Sequence, residues 1–412
     1  MNKTLTVRRA LLIFTPILLV ACFLTSQLCY RFMYIPARSK YQQMAAEITE
    51  QMTEKDALLV ELKRVKGLFD GKYVGSLKEG EILDAVLEAY VRATGDGYAE
   101  YYDAEEYKAL LQSYEGQGEG IGVRISEDAS GRLIVVYAEK EAPAYKAGVR
   151  AGDEIVAVEG KRVTEIGADA ASNMLIGKKD TEAVFTVKNA QGEREVSVTR
   201  KEVNYSTVLY SLEEGKIGYL RILSFASTTY KEFKAAVDDL EKQGAVALVF
   251  DLRQNGGGLL SSVHDVLDYL IADGTKEEPK VVVTTKDKNE NEQRYICDDG
   301  HSVALPMAVL TDGRTASAAE LFAAALRDYE LAILVGQTTY GKGVAQSTYE
   351  LGDGTAVRLT TAKYFPPCGE NYDGQGVKPH IEASSEGLNI YLTARGEDPV
   401  YLAALEGLKS NK

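Results

Sequence analysis

The stretch LTDGRTASAAELFAAAL, residues 310–326, reads in three pieces. Apolar 307–312 is expected to be a buried strand, Gly313 a turn, and the Ala- and Leu-rich 316–328 a helix. A strand feeding a helix through a tight turn is the repeating unit of an α/β layer fold. The turn also presents Ser317 where the helix begins. Free N–H groups and the positive end of the helix dipole gather there, which suits a nucleophile whose product is an oxyanion. Yet Ser317 and Glu320 have the spacing of a capping box, and a serine in that place ordinarily only caps.

Lys342 shifts the balance. It lies 25 residues beyond Ser317, in GQTTYGKG, residues 336–343. A P-loop would require Ser or Thr after the lysine and then a helix. Here Gly343 follows, and 344–350 alternates and is β-branched, as a strand is. A serine hydroxyl becomes a usable nucleophile when a neighbour takes its proton. A lysine of ordinary pKa, about 10.4, is charged at neutral pH, but burial can lower that value and make it a base. A Ser–Lys pair can therefore run acyl transfer without histidine. On a strand, the even spacing of Lys342 and Gln346 would put both on one face. A third piece is DLRQNGGGLL, residues 251–260. An apolar strand, 245–252, runs into three glycines and then a helix, a loop whose exposed N–H groups can hold an anion.

The 412 residues exceed one ordinary core and imply two or three domains. With 47 Lys+Arg against 61 Asp+Glu the net charge is −14, and no basic stripe lies beyond the N-terminus, so nucleic acid is not an expected partner. The three histidines, His264, His301 and His380, form no HExxH, and neither CxxC nor GxSxG occurs; no metal or cofactor is expected. Cys297 and Cys368 leave two readings open, one disulfide or two free thiols.

Residues 1–36 read as a cytoplasmic tail and signal anchor. Lys3, Arg8 and Arg9 precede an apolar run, 10–30, long enough to span a bilayer as a helix. A cleaved signal is the rival reading, and Leu19-Val20-Ala21-Cys22 also resembles a lipoprotein cleavage box, although 23–28 stays apolar. Within a helical region, 37–114, Tyr41, Met44, Ile48, Met52, Leu58, Leu62, Val65 and Phe69 recur at helical steps, as expected for pairing between two chains or for packing on the chain's own body. Ser76-x-x-Glu79 is expected to open a second helix that Gly95 ends. Asp103-x-x-Glu106 opens a third.

Residues 115–202 carry a GEGIG loop (118–122), the run APAYKAGVRAGDEIVAVEG (142–160) and a late helix near 168–176. This unit resembles a PDZ domain. By that resemblance Gly118, Gly120, Ile121, Gly122 and Val123 would receive the free, apolar C-terminus of a peptide or protein added along a sheet edge. From 203 to 395 strands and helices alternate, and 396–412 reads as a partly polar helical tail.

The ordered motifs GDGYAEYYDAEEY (95–107), the PDZ-like unit, DLRQNGGGLL, LTDGRTASAAELFAAAL, LVGQTTYGKGVAQ (334–346) and GQGVKPHI (374–381) together resemble the C-terminal processing peptidases, over roughly 70–390. That likeness implies a multidomain α/β (α+β) chain: membrane anchor and helical region, PDZ domain, and a serine protease core, 203–395, of the Clp protease/crotonase type. It implies Ser317 as nucleophile, Lys342 as general base and Gln346 as the residue that positions the lysine. Gly257 and Ala318 N–H groups would form the oxyanion hole, without metal. It implies an extracytoplasmic enzyme; with the N-terminal run read as an anchor, a single-pass protein of the bacterial cell membrane is expected, its catalytic part extracytoplasmic, and the helical stripe leads us to expect a homodimer. Gly256 stands where many members carry Pro, and Cys368 and His380 replace residues usually Ser-like and Asp. The competing reading is a catalytically silent, membrane-anchored PDZ scaffold. Intact Ser317, Lys342 and Gln346 speak against it.

Overall fold

The computed structural model describes residues 57–128, 130–352 and 354–410. The expected anchor, Cys22 and the stripe positions Tyr41 to Met52 lie outside them. Among the described residues no helix is long and apolar enough to cross a membrane. The chain divides into two units at Ile82/Leu83. In the first, α1 (Ala57–Lys72) buries none of its residues, and Leu58, Leu62, Val65 and Phe69 are all exposed. Helix α2 (Glu79–Ala93) begins at Glu79 rather than beside Ser76, and Lys78 O receives its first bond, from Ile82 N–H.

The second unit takes in α2 from Leu83 and continues with β1 (Glu100–Tyr102) and α3 (Ala104–Tyr114), whose Asp103–Glu106 capping box forms as the spacing requires. Strand β2 (Gln117–Gly120) pairs antiparallel with β9 (Lys201–Asn204). Between them a sheet runs in the order β3 (Val123–Glu127), β4 (Leu133–Ala138), β5 (Glu154–Val158), β7 (Glu182–Asn189), β8 (Gly192–Thr199), with β6 (Lys161–Arg162) on β5. Ala183, Phe185 and Val187 alternate inward along β7 and meet Val196 and Val198 of β8. Helices α4 (Pro143–Lys146), α5 (Val163–Ile166) and α6 (Ala168–Leu175) close this core through Ala144, Val163, Ala171 and Leu175.

The remaining chain builds a six-stranded sheet: β10 (Val208–Glu213), β11 (Ile217–Ile222), β12 (Ala247–Asp251), β15 (Met307–Thr311), β16 (Ala332–Gly336), β19 (Ile381–Glu382). From β11 onward every neighbour is parallel. Both faces are covered, which is why β12 and β15 read as apolar runs up to their last residues, Asp251 and Thr311. Leu248, Phe250 and Val309 face α7 (Thr229–Lys242), α8 (Leu260–Leu270) and α9 (Ala318–Asp328), where Phe233 and Phe322 pack on Phe250 with centroids 5.5 and 5.4 Å away. Removing such a ring costs about 3–5 kcal/mol. Val249, Ala308 and Leu310 face the other way, onto α10 (Pro399–Ser410), which buries Val400, Tyr401, Ala404 and Leu408.

The segment expected as a tail is thus a layer of the core. Its leading residue, Asp398, takes 3.0 and 2.6 Å hydrogen bonds from Arg253, which also grips Asp251 at the end of β12. Burial alone would raise the Asp251 carboxyl, but Arg221 and Arg253 outweigh it and hold it well below the carboxylate range. Removing one partner from such a buried set costs about 3–5 kcal/mol. A second sheet, in the order β1, β18 (Ala356–Phe365), β13 (Val281–Asp287), β14 (Glu292–Ile296), carries β17 (Val344–Glu350) on β18. Cys297 is buried and Cys368 exposed, and both are free thiols.

Candidate active site

Strand β15 ends at Thr311, and Asp312 turns the chain by accepting the Arg314 and Thr315 N–H groups at 3.0 Å. Thr315 donates its hydroxyl to Leu252 O at 2.9 Å, and Ala316 N–H bonds Asn255 O at 2.9 Å. The turn is therefore clamped to the loop after β12. It delivers Ser317 to the start of α9 with φ +58°, a conformation a serine holds only where its surroundings impose it.

The imposing group is Glu320, fully buried one turn into α9. Its Oε2 accepts the Ser317 N–H at 2.8 Å and the Lys342 N–H at 2.8 Å. Its Oε1 accepts the Gly341 N–H at 2.6 Å and the Thr339 hydroxyl at 2.5 Å. One carboxylate thus pins the backbones of both expected catalytic residues. In the sequence Glu320 reads only as the second half of a capping box. Its position amid the apolar residues of ASAAELFAAAL is the available signal, since an acid within a buried run of helix needs several donors.

Lys342 is half-buried, its Nζ 4.5 Å from the centroid of the Tyr98 ring. Burial, then the nearby Arg358 charge, lowers its pKa from the ordinary 10.5, while Asp96 and Glu320 oppose the shift. The residue lies in the loop before β17, and the β17–β18 register shifts between Ala345 and Gln346. The even-spacing argument for a shared strand face therefore does not apply. Gln346 instead donates from Nε2 to Thr360 Oγ1 at 3.2 Å. Ser317, Lys342 and Gln346 nonetheless line one groove of about 840 Å³, with Gly256, Gly258 and Tyr364. Burial pushes the Tyr364 phenol up to about 12, opposed by its hydrogen bond with Ser317.

Gly257 has φ +102°, and a Cβ there would lie 2.8 Å from Ala316 O and 3.0 Å from Ala318 N. Only glycine allows the two loops this approach. Of the two expected oxyanion donors, Ala318 N–H opens α9 and has no intrahelical acceptor. The Gly257 N–H, however, is held by Asn255 Oδ1 at 2.8 Å. Of the expected pair, the Gly257 N–H is thus committed to the side chain of Asn255.

In the PDZ-like unit, Gly118 and Gly120 are not loop residues. They sit on β2, opposite Val203 and Lys201. The turn is shorter: Ile121 is buried, Ile121 O accepts the Ala144 N–H at 3.0 Å, and Gly122 O accepts the Glu139 N–H at 2.9 Å. Gly122 has φ +78°, and a Cβ there would lie 2.2 Å from Ala142 Cβ. Val123 opens β3, which pairs only with β4 in its sheet, so its outer edge has the form that an added peptide strand requires. Elsewhere, carboxylate oxygens of Asp268, Asp273 and Asp299 lie within 4.8 Å of one another, but none of the three lines the groove.

A PDZ-like unit whose sheet ends on β3, beside an α/β core that places a serine and a lysine on one groove, defines the class. Peptidase family S41 matches residues 216–383, and the PDZ domain family matches 134–189. A carboxy-terminal processing protease, CtpA of Bacillus subtilis (strain 168), is 33% identical over 312 residues, 76% of this chain and 66% of that protein. A protein of Staphylococcus aureus (strain MRSA252) named "Probable CtpA-like serine protease" is 31% identical over 339 residues, 81% of this chain and 67% of its own length. A solved S41 protease candidate from Bacteroides fragilis NCTC 9343 shares the fold, with TM-score 0.57 at 18% identity, over 82% of this chain and 93% of that one. The chain belongs to the C-terminal processing peptidases of family S41, a family of serine-type enzymes.

Proposed function

We propose that the chain is a membrane-anchored serine endopeptidase that cleaves extracytoplasmic proteins and takes them partly by their apolar C-termini. The observation that carries this reading is the Glu320 carboxylate, which binds the Ser317 and Lys342 N–H groups together at the edge of one groove. A silent scaffold has no use for a strained serine and a half-buried lysine held in register.

In the reaction, substrate lies extended in the groove. Neutral Lys342 takes the Ser317 hydroxyl proton as Oγ bonds to the scissile carbonyl carbon, and the carbonyl π pair moves onto oxygen. The Ala318 N–H receives that oxyanion, joined by Gly257 N–H once it leaves Asn255 Oδ1. Collapse breaks the C–N bond, and the Lys342 ammonium protonates the departing amine. Water, deprotonated by the same lysine, then releases the acid and restores Ser317. Gln346 positions the lysine. The open β3 edge and the Gly122 turn would hold the substrate's C-terminus.

The run 10–30 serves in this reading as an uncleaved anchor in a bacterial membrane, and the exposed stripe of α1 as part of a dimer contact. The test is a fluorophosphonate probe applied to the full chain. It should label wild type and fail on Ser317→Ala, with loss of casein cleavage. Unlabelled, inert wild type would favour the scaffold.

A further inference from the structure

To position Lys342, Gln346 must present an acceptor: the neutral amine keeps its one lone pair for the Ser317 proton and otherwise offers only N–H donors, and the ammonium has no lone pair at all. A glutamine amide can point either end at its neighbours, and something must choose. Gln346 makes its contact on β18, with the hydroxyl of Thr360 at 3.2 Å. A hydroxyl has one proton to give, so the direction of that contact depends on where the Thr360 proton goes.

It goes to Asp96. Thr360 Oγ1 lies 3.0 Å from Asp96 Oδ1, and the Thr360 N–H donates to Asp96 Oδ2 at 2.8 Å. Tyr98 N–H donates to Oδ1 of the same carboxylate at 3.0 Å. Burial pushes this carboxyl up, but the Thr360 and Tyr98 N–H groups outweigh it and hold its pKa below the ordinary value. An ionised carboxylate only accepts. Thr360 must then donate to it and accept from Gln346, whose Nε2 is thereby committed and whose Oε1 is left as the acceptor.

We infer that Asp96 is a positioning residue: through Thr360 it fixes which end of the Gln346 amide serves Lys342. The inference rests on the Ser317–Lys342–Gln346 reading. The same carboxylate anchors the backbone that sets the Tyr98 ring 4.5 Å from Lys342 Nζ. Asp96 thus reaches the catalytic lysine by two routes, from a segment 264 residues before Thr360. Its charge also acts directly. Around Lys342 the charged neighbours are Arg358, Asp96 and Glu320, and Asp96 favours the ammonium.

The two effects separate by experiment on the full chain, with fluorescent casein as substrate and fluorophosphonate labelling of Ser317 as the check on folding and on the nucleophile. Asp96→Asn should lower kcat about tenfold, the worth of one well-aimed hydrogen bond, and move the acid limb of the pH profile to lower pH, because a neighbouring carboxylate is gone. Thr360→Val keeps the charge and cuts the chain, so kcat should fall similarly with the acid limb unmoved. Thr360→Ser should restore kcat. The double variant should be no slower than the worse single one, since both break one chain. Labelled, folded Thr360→Val with wild-type kcat, or Asp96→Asn that only shifts the limb, would overturn the inference alone. Wild type that does not label at Ser317 would overturn the underlying reading and the inference with it.

Discussion

Glu320→Gln is the sharpest perturbation this site offers, because it changes one atom and almost no volume. The carboxylate accepts four hydrogen bonds, two on each oxygen. A glutamine keeps one oxygen and replaces the other with a donor. If Nε2 turns toward Ser317 and Lys342, two buried N–H groups face a donor. If it turns toward Thr339 and Gly341, the hydroxyl can rotate to accept, but the Gly341 N–H cannot. Each bond to a charged acceptor contributes about 1.5–3 kcal/mol, so losing one or two, with the repulsion they leave, costs about 3–5 kcal/mol. In a core of this size that is a fall in Tm of about 6–20 °C. Catalysis should suffer beyond stability, because the loops of Ser317 and Lys342 are no longer tied to one point. Differential scanning calorimetry and casein turnover below the transition measure the two effects. A Tm within about 2 °C of wild type, with rate preserved, would show that the carboxylate is not the clamp described here.

Activity should rise with pH along a limb below the 10.5 of a free lysine, because burial and Arg358 disfavour the Lys342 ammonium. Lys342→Arg should be inactive across that range, since arginine stays protonated; a flat wild-type profile with chemistry rate-limiting would contradict the lysine base. Gly257→Ala forces a Cβ to within 3.0 Å of backbone atoms Ala316 O and Ala318 N at φ +102°, so turnover should drop about 10²–10³-fold, as for a misplaced oxyanion donor; full activity would place the hole elsewhere. A peptide with an apolar free C-terminus should bind the β3 edge more tightly than its amidated form in a fluorescence titration, and equal affinities would exclude carboxylate recognition. The detergent-solubilised chain should be dimeric by light scattering and become monomeric on Leu62→Glu with Phe69→Glu, both exposed on α1; a monomeric wild type would remove the stripe from assembly.

Much of this molecule is written locally. Periodicity of two in β7, apolar runs in β12 and β15, and the Asp103 capping box each depend on residues a few positions apart, so the elements follow from the sequence. Ser317 and Lys342 stand out as candidates for the same reason: each sits in a short motif, at a helix start or between glycines, that sets it apart from an ordinary cap or surface charge. The chain order of those motifs carried the family. What tertiary structure decided are contacts between residues far apart, which no local pattern encodes. The burial of α10 rests on Asp398 meeting Arg253, 145 positions away. Glu320 looks like a cap until Lys342, 22 residues on, folds back onto it. The Gly257 N–H looks free until Asn255 turns its side chain onto it, and Gly118 and Gly120 look like loop until β9 pairs with them. Asp96 looks like a turn residue until β18 arrives beside it. A hydrogen-bond donor has the same identity wherever it lies in the chain; only the path of the chain decides which acceptor it finds.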